Sequence, residues 1–229
     1  MLKRIAQTAG FSALLAALLL TLLQSLWVTP LILEAETYES VEPVAEHGHA
    51  ATTAVHEHAE DSWAPQDGVQ RTLFTGLSNL VVAVGFALML AGLYSLRAPG
   101  RTWQGLLWGL AGFATFNLAP AIGLPPELPG TAAADLTLRQ YWWVGAAATT
   151  AAGLALLAFG GQWWLRLLGV LLLPLPHLLG APQPEIHESL APATLSEHFI
   201  YVSLLANALF WAALGLISAW LFNRGQRVN

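Results

Sequence analysis

The stretch GFSALLAALLLTLLQSLWVTPLILEAE, residues 10–36, decides the fold. From Gly10 to Leu33 it carries no charge, and at ~1.5 Å per residue it exceeds the about 20 residues that a bilayer core requires. Lys3 and Arg4 stand before it, and Glu34 and Glu36 close it. The same pattern recurs, giving apolar spans at about 10–33, 73–96, 103–122, 141–160, 163–179 and 199–222. The reading is an all-α polytopic membrane helix bundle of six spans. Five is the alternative count, because only Gly161 and Gln162 separate the fourth span from the fifth, which is short and holds Pro174 and Pro176.

Charge placement favours six. Lys3, Arg4, Arg97, Arg101, Arg166, Arg224 and Arg227 alternate onto one face, which the positive-inside rule makes cytoplasmic together with both termini. The other face receives all fourteen acids and all seven histidines, against only Arg71 and Arg139. Aromatic side chains fit this frame, with Trp27, Trp142, Trp143 and Tyr201 expected at the outer interface and Tyr94, Trp103, Trp163, Trp164 and Trp220 at the inner one.

Composition excludes several classes. A chain that is 55% hydrophobic and 10% charged, with mean hydropathy +0.56, belongs in lipid and not in water. Without cysteine there are no disulfides and no thiolate metal sites. No GxxxxGK[ST] motif supplies a nucleotide site, no basic patch suggests nucleic acid, and no HExxH pairing suggests a metal-dependent enzyme. The first span is read as an uncleaved anchor, being longer than a signal-peptide core and lacking a small-residue cleavage site.

One polar loop stands out, at residues 34–71, with nine acids and four histidines. It has too few large apolar side chains to offset chain entropy by burial. Within it lie His47-Gly48-His49 and His56-Glu57-His58. An i, i+2 pair points two imidazoles to one side in extended or turn backbone, so each pair is suited to share one cation, with Glu46, Glu57, Glu60 or Asp61 completing the shell. Imidazole with carboxylate suits Co²⁺, Ni²⁺ and Zn²⁺. The pairs do not encode which, since intrinsic affinity ranks Ni²⁺ above Co²⁺ on nearly any such site. Capture should weaken below about pH 6, as imidazoles take up protons. The plain alternative is a polar linker.

The spans add a second set of candidates. Pro30, Pro120, Pro174 and Pro176 all fall in the outer third of a span, where a missing N–H predicts kinked or unwound helix ends against protein or a wet cavity. His177, directly after two of these prolines, and Glu127, in a proline-rich loop, are the leading ligands at such a mouth. Their alternatives are an interfacial histidine satisfied by backbone and an ion-pair partner for Arg139. Glu34 and Glu36 are further candidates, or simply mark the interface. Gly105, Gly109 and Gly112, and the series Gly145, Thr149 and Gly153, predict close helix contacts, with Asn79, Asn117 and Asn207 as interhelical hydrogen-bond partners.

Specific wording then points to a family. Pro30-Leu-Ile-Leu-Glu-Ala-Glu36, His56-Glu-His58, Arg71-Thr-Leu-Phe-Thr75, Trp108-Gly-Leu-Ala-Gly-Phe113, Gly123-Leu-Pro-Pro-Glu-Leu-Pro-Gly130, Arg139-Gln140 with Trp142 and Trp143, and Pro176-His177 before Gly180-Ala-Pro182 together resemble the CbtA family of predicted cobalt transporter subunits. The resemblance implies a bacterial inner-membrane protein serving cobalt supply for cobalamin synthesis, with a small single-span histidine-bearing partner, CbtB. It also implies about five spans. The expectation is uptake of divalent cobalt, captured by a periplasmic loop and passed through a proline-broken helix mouth. The alternative is an accessory metal-binding or receptor subunit that does not itself transport.

Overall fold

The computed structural model describes residues 2–39, 65–186 and 188–227, and these are helical apart from connecting segments and one isolated bridge between Thr131 and Ser189. His47, His49, His56, Glu57 and His58 lie outside the described residues, as do Glu46, Glu60, Asp61 and His187. In chain order the helices are α1 (Leu2–Leu23), α2 (Thr29–Glu39), α3 (Val69–Leu96), α4 (Gln104–Phe113), α5 (Ala119–Gly123), α6 (Leu136–Phe159), α7 (Trp163–Leu172), α8 (Leu175–Leu179) and α9 (Ala193–Arg227). Two π-helical turns, Gln24–Val28 and Ala114–Leu118, join α1 to α2 and α4 to α5.

Among the described residues five helical runs are long and apolar enough to cross a membrane: Ile5–Glu39, Val69–Leu96, Gln104–Gly123, Leu136–Phe159 and Ala193–Gly225. The remaining apolar segment, Trp163–Leu179, is shorter. It forms the return leg of a hairpin with α6: Gly153 and Gly169 meet at mid-length, and the Trp142 indole N–H donates to the Pro176 carbonyl at 3.2 Å near the far end. The loops flanking this hairpin are joined, since the Ala132 N–H donates to the Glu188 carbonyl at 2.9 Å and the Leu190 N–H to the Gly130 carbonyl at 3.2 Å. The chain therefore leaves one end of the bundle along α6 and returns to the same end along α7 and α8.

Helix α9 is central. Small residues let its neighbours approach: a Cβ on Gly105 or Gly109 would collide with the backbone of Gly215 or Trp211, and one on Gly112 with the Trp211 ring. Lipid tails are as apolar as leucine, so such contacts hold the bundle by van der Waals packing and not by a hydrophobic drive. On α1 a buried face of Ala9, Ala13, Ala16 and Ala17 serves the same purpose. The second glycine series is used only in part, because Gly153 packs on Gly169 while Gly145 has nothing within 4 Å of its Cβ position.

Of the two expected outcomes at the prolines, kinked or unwound helix, unwinding is not what two of the three places show. Helical backbone continues through Pro30 and Pro120, and each is preceded by a π turn in which the residue just before proline bonds five residues back, Thr29 N–H to the Gln24 carbonyl and Ala119 N–H to the Ala114 carbonyl. Widening the turn by one residue takes up the missing donor and the ring's bulk without unwinding the helix. At Leu173 and Pro174 the run does break, and α8 restarts beyond it.

Further corrections concern side chains. Tyr94 is not at an interface but fully buried, edge-on to Trp108 and Phe222, with its hydroxyl 3.3 Å from the Gly215 carbonyl. Asn207 donates to the Ser203 carbonyl of its own helix, whereas Asn79 reaches Gln24 and Thr21, and Asn117 accepts from Trp211.

Because Gly215 and Gly145 differ in what surrounds them, Gly215→Ala should destabilise the detergent-solubilised protein by about 1–3 kcal/mol through overpacking. Gly145→Ala should stay within about 0.5 kcal/mol. Thermal unfolding followed by circular dichroism checks both, and equal effects would contradict the glycine contact.

Candidate functional site

Helix directions carry the described carboxylates to one end of the bundle. Glu34, Glu36 and Glu39 end α2, Asp67 precedes α3, Glu127 and Asp135 lie between α5 and α6, Glu185 and Glu188 lie between α8 and α9, and Glu197 begins α9. Lys3, Arg97, Arg101, Arg166 and Arg224 mark the opposite end. Charges are kept out of the apolar middle because burying them in hydrocarbon is expensive.

At the acidic end the two arginines are both engaged. Arg71 grips Glu36 through two bonds, of 2.6 and 3.2 Å, and bonds Asp67 at 2.8 Å. Arg139 bonds Glu127 at 2.7 Å, with both side chains about one-quarter exposed. The helix start that positions Arg139 is itself capped, since Asp135 accepts from the Leu138 N–H at 3.0 Å.

Glu127 and Arg139 line a cavity of about 370 Å³ walled by the proline-rich loop at Gly123–Leu128, the Pro182–Pro184 stretch and the first turns of α9. Glu188 and Glu197 are also among its lining residues, so three acidic residues and one arginine surround this space. Gln183 bridges the walls, its amide 3.5 Å from the Gly123 carbonyl. The arrangement is a vestibule that favours cations electrostatically without presenting a finished ligand shell.

His177 sits behind the vestibule wall and does not line it. Its ring lies edge-on to Trp142, centroids 5.8 Å apart, and its Nδ1 is buried with no protein partner. A buried imidazole nitrogen without a partner is costly, and a water or a metal ion would satisfy it. Gly123 closes the same wall, because a Cβ there would strike the Trp142 ring and Ala181. Glu34 is exposed on α2, in the same end of the bundle but away from the vestibule lining. Thus Glu34, Glu36, Glu127 and His177 share one end but not one coordination shell, and among the described residues no three His, Asp or Glu side chains converge closely enough to hold a metal ion.

Sequence reasoning passed over Glu188 and Glu197, which fell in an ordinary-looking polar loop and the first turn of the last helix. The pairing of residues 130–132 with 188–190 brings their segment to the cavity that Glu127 also lines. Gln24 was also missed, as a polar residue inside the first span whose Oε1 accepts from Asn79 at 2.6 Å.

A double-mutant cycle on Glu127→Gln and Arg139→Gln should give a coupling of about 0.2–1 kcal/mol in unfolding free energy, because partial exposure screens the pair. A coupling indistinguishable from zero would mean that the two side chains do not hold one another in solution.

The chain matches one protein-family model, described as Probable cobalt transporter subunit (CbtA), over residues 2–223. No curated protein and no solved structure matches it.

Proposed function

We propose that this chain, which belongs to the CbtA family of probable cobalt transporter subunits, is the membrane subunit that takes up divalent cobalt, with its acidic end facing the periplasm. The observation that carries this reading is the vestibule at that end, where Glu127, Glu188 and Glu197 line one cavity with Arg139. In this reading the chain is a multi-pass protein of the bacterial inner membrane with both termini cytoplasmic. The hairpin geometry supports six crossings, since a 24-residue α6 that leaves the acidic end is matched by a return along α7 and α8.

Capture begins at the loop histidines His47, His49, His56 and His58 with Glu57. The negative potential of the acidic end concentrates the cation, and the ion then moves past Glu127 toward His177, beside the break at Pro174, with Glu34 and Glu36 at the rim. Neutral imidazole at His177 supplies a donor of suitable softness for Co²⁺, and equally for Ni²⁺ or Zn²⁺. A membrane potential negative inside favours inward passage of a divalent ion by roughly 4.6 kcal/mol per 100 mV. The role is transport and not catalysis, and the energy source beyond that potential belongs to a partner, for which a small single-span CbtB-like subunit is the proposal.

The ion pairs of Glu36 and Glu127 favour a second reading, in which the chain presents metal to another permease and does not conduct it. Vesicle uptake of radioactive cobalt, with and without the small partner, separates the two. For the transport reading, His177→Ala abolishes most flux, and the quadruple alanine substitution of the loop histidines lowers flux only at low metal concentration. Unchanged flux in His177→Ala removes the inner site, and binding without any flux selects the accessory reading. Arg139→Gln, which releases Glu127, should tighten cobalt binding by up to about fivefold, the equivalent of one partly screened ion pair.

A further inference from the structure

At the basic end, away from the vestibule, a second cavity of about 540 Å³ separates α3 from α4 and α6. Its walls are Met89, Leu90 and Leu93 on one side and Ala151, Ala155 and Ala158 on the other, over a floor of α4. Leu93, Leu107 and Phe159 are partly exposed at its margin, so the cleft opens sideways toward lipid and not only toward water. Charge occurs at one place in the lining, where Arg97 stands at the end of α3 with its guanidinium 4.5 Å over the Phe159 ring. Arg101 lies in the same short connection, and Trp103 and Trp163 are exposed nearby in sequence at the same end. That combination marks the depth of lipid headgroups.

We propose that this cleft is a binding site for an anionic phospholipid, with an acyl chain between α3 and α6 and the phosphate on Arg97. Two observations select this occupant. Charge complementarity is the first, because the described carboxylates all lie at the opposite end and leave Arg97 to a ring face and an external anion. The form of the cleft is the second. The lining runs along α4 and its π turn from Gln104 to Phe116, about 18 Å of helix, and is apolar along most of that length with its one charge at the mouth. An extended hydrocarbon chain with an anionic head matches that order of apolar slot and cationic end. Basic pockets between transmembrane helices recognise acidic headgroups by this combination of a cationic mouth and an apolar slot. The bound chain would fill the space between the hairpin and the rest of the bundle, which among the described residues share side-chain hydrogen bonds at the acidic end, Arg139 with Glu127 and Gln183 with Gly123.

The test uses the full chain reconstituted in nanodiscs of phosphatidylcholine with phosphatidylglycerol, then transferred to mild detergent for native mass spectrometry of retained lipid. Wild type and Arg97→Lys should retain phosphatidylglycerol over phosphatidylcholine. Arg97→Gln should lower that retention about fivefold, the worth of one basic side chain at an anionic surface. Ala155→Trp, which fills the slot from an exposed position, should lower retention of both lipids. Circular dichroism melts identical to wild type certify that each variant is folded. Equal retention of the two lipids by wild type, or retention untouched by both Arg97→Gln and Ala155→Trp, overturns the proposal. So does a photo-crosslinker at position 155 that captures a polypeptide in place of lipid, which would give the cleft to a partner helix.

Discussion

Inside a hydrocarbon slab a helix gains nothing by turning leucine toward another helix, because the surrounding tails are equally apolar. What holds this bundle is close approach of small residues, and the contact of Gly105, Gly109 and Gly112 with Trp211 and Gly215 is where that approach is tightest. It fixes α4 antiparallel to α9, which brings the proline-rich loop after α5 beside the first turns of α9. The cavity that joins Glu127 to Glu188 and Glu197 exists because of that registration.

The same medium governs the polar backbone. A proline within a span leaves a carbonyl without its donor where no water can replace it. Before Pro30 and Pro120 the chain answers with a π turn, and each turn also projects a polar side chain that bonds to a neighbouring helix. Gln24 accepts from Asn79, and Asn117 accepts from Trp211 at 2.8 Å. The distortions thus serve as docking points, ninety residues apart in sequence and equivalent in design. At Pro174 two prolines fall within three residues, and the helix breaks beside His177.

Much of this was legible in the sequence because it rests on periodicity and cost. Spans follow from the length of apolar runs, sidedness from the expense of burying charge, and the Gly105 and Gly109 contact from small residues at four-residue spacing. The remainder depends on geometry that spacing does not carry. A π turn is signalled by no residue type, so the prolines at 30 and 120 read only as kinked or unwound helix ends. Tyr94 reads as an interfacial anchor until Phe222 and Trp108 are seen to enclose it. Glu188 and Glu197 became visible only when two distant loops were found hydrogen-bonded to one another, while Glu127 and Arg139 were legible as a pair because so few arginines stand among the acids.

The functional account rests on which face of the membrane the acidic end meets. Since the chain has no cysteine, single cysteines at Glu57, Gly100 and Gly161 report this directly when intact cells are treated with a membrane-impermeant maleimide. Labelling at position 57 from outside, with 100 and 161 labelled only after lysis, is the predicted result and fits a return crossing along α7 and α8. Labelling of 100 or 161 from outside, with 57 protected, would contradict the account.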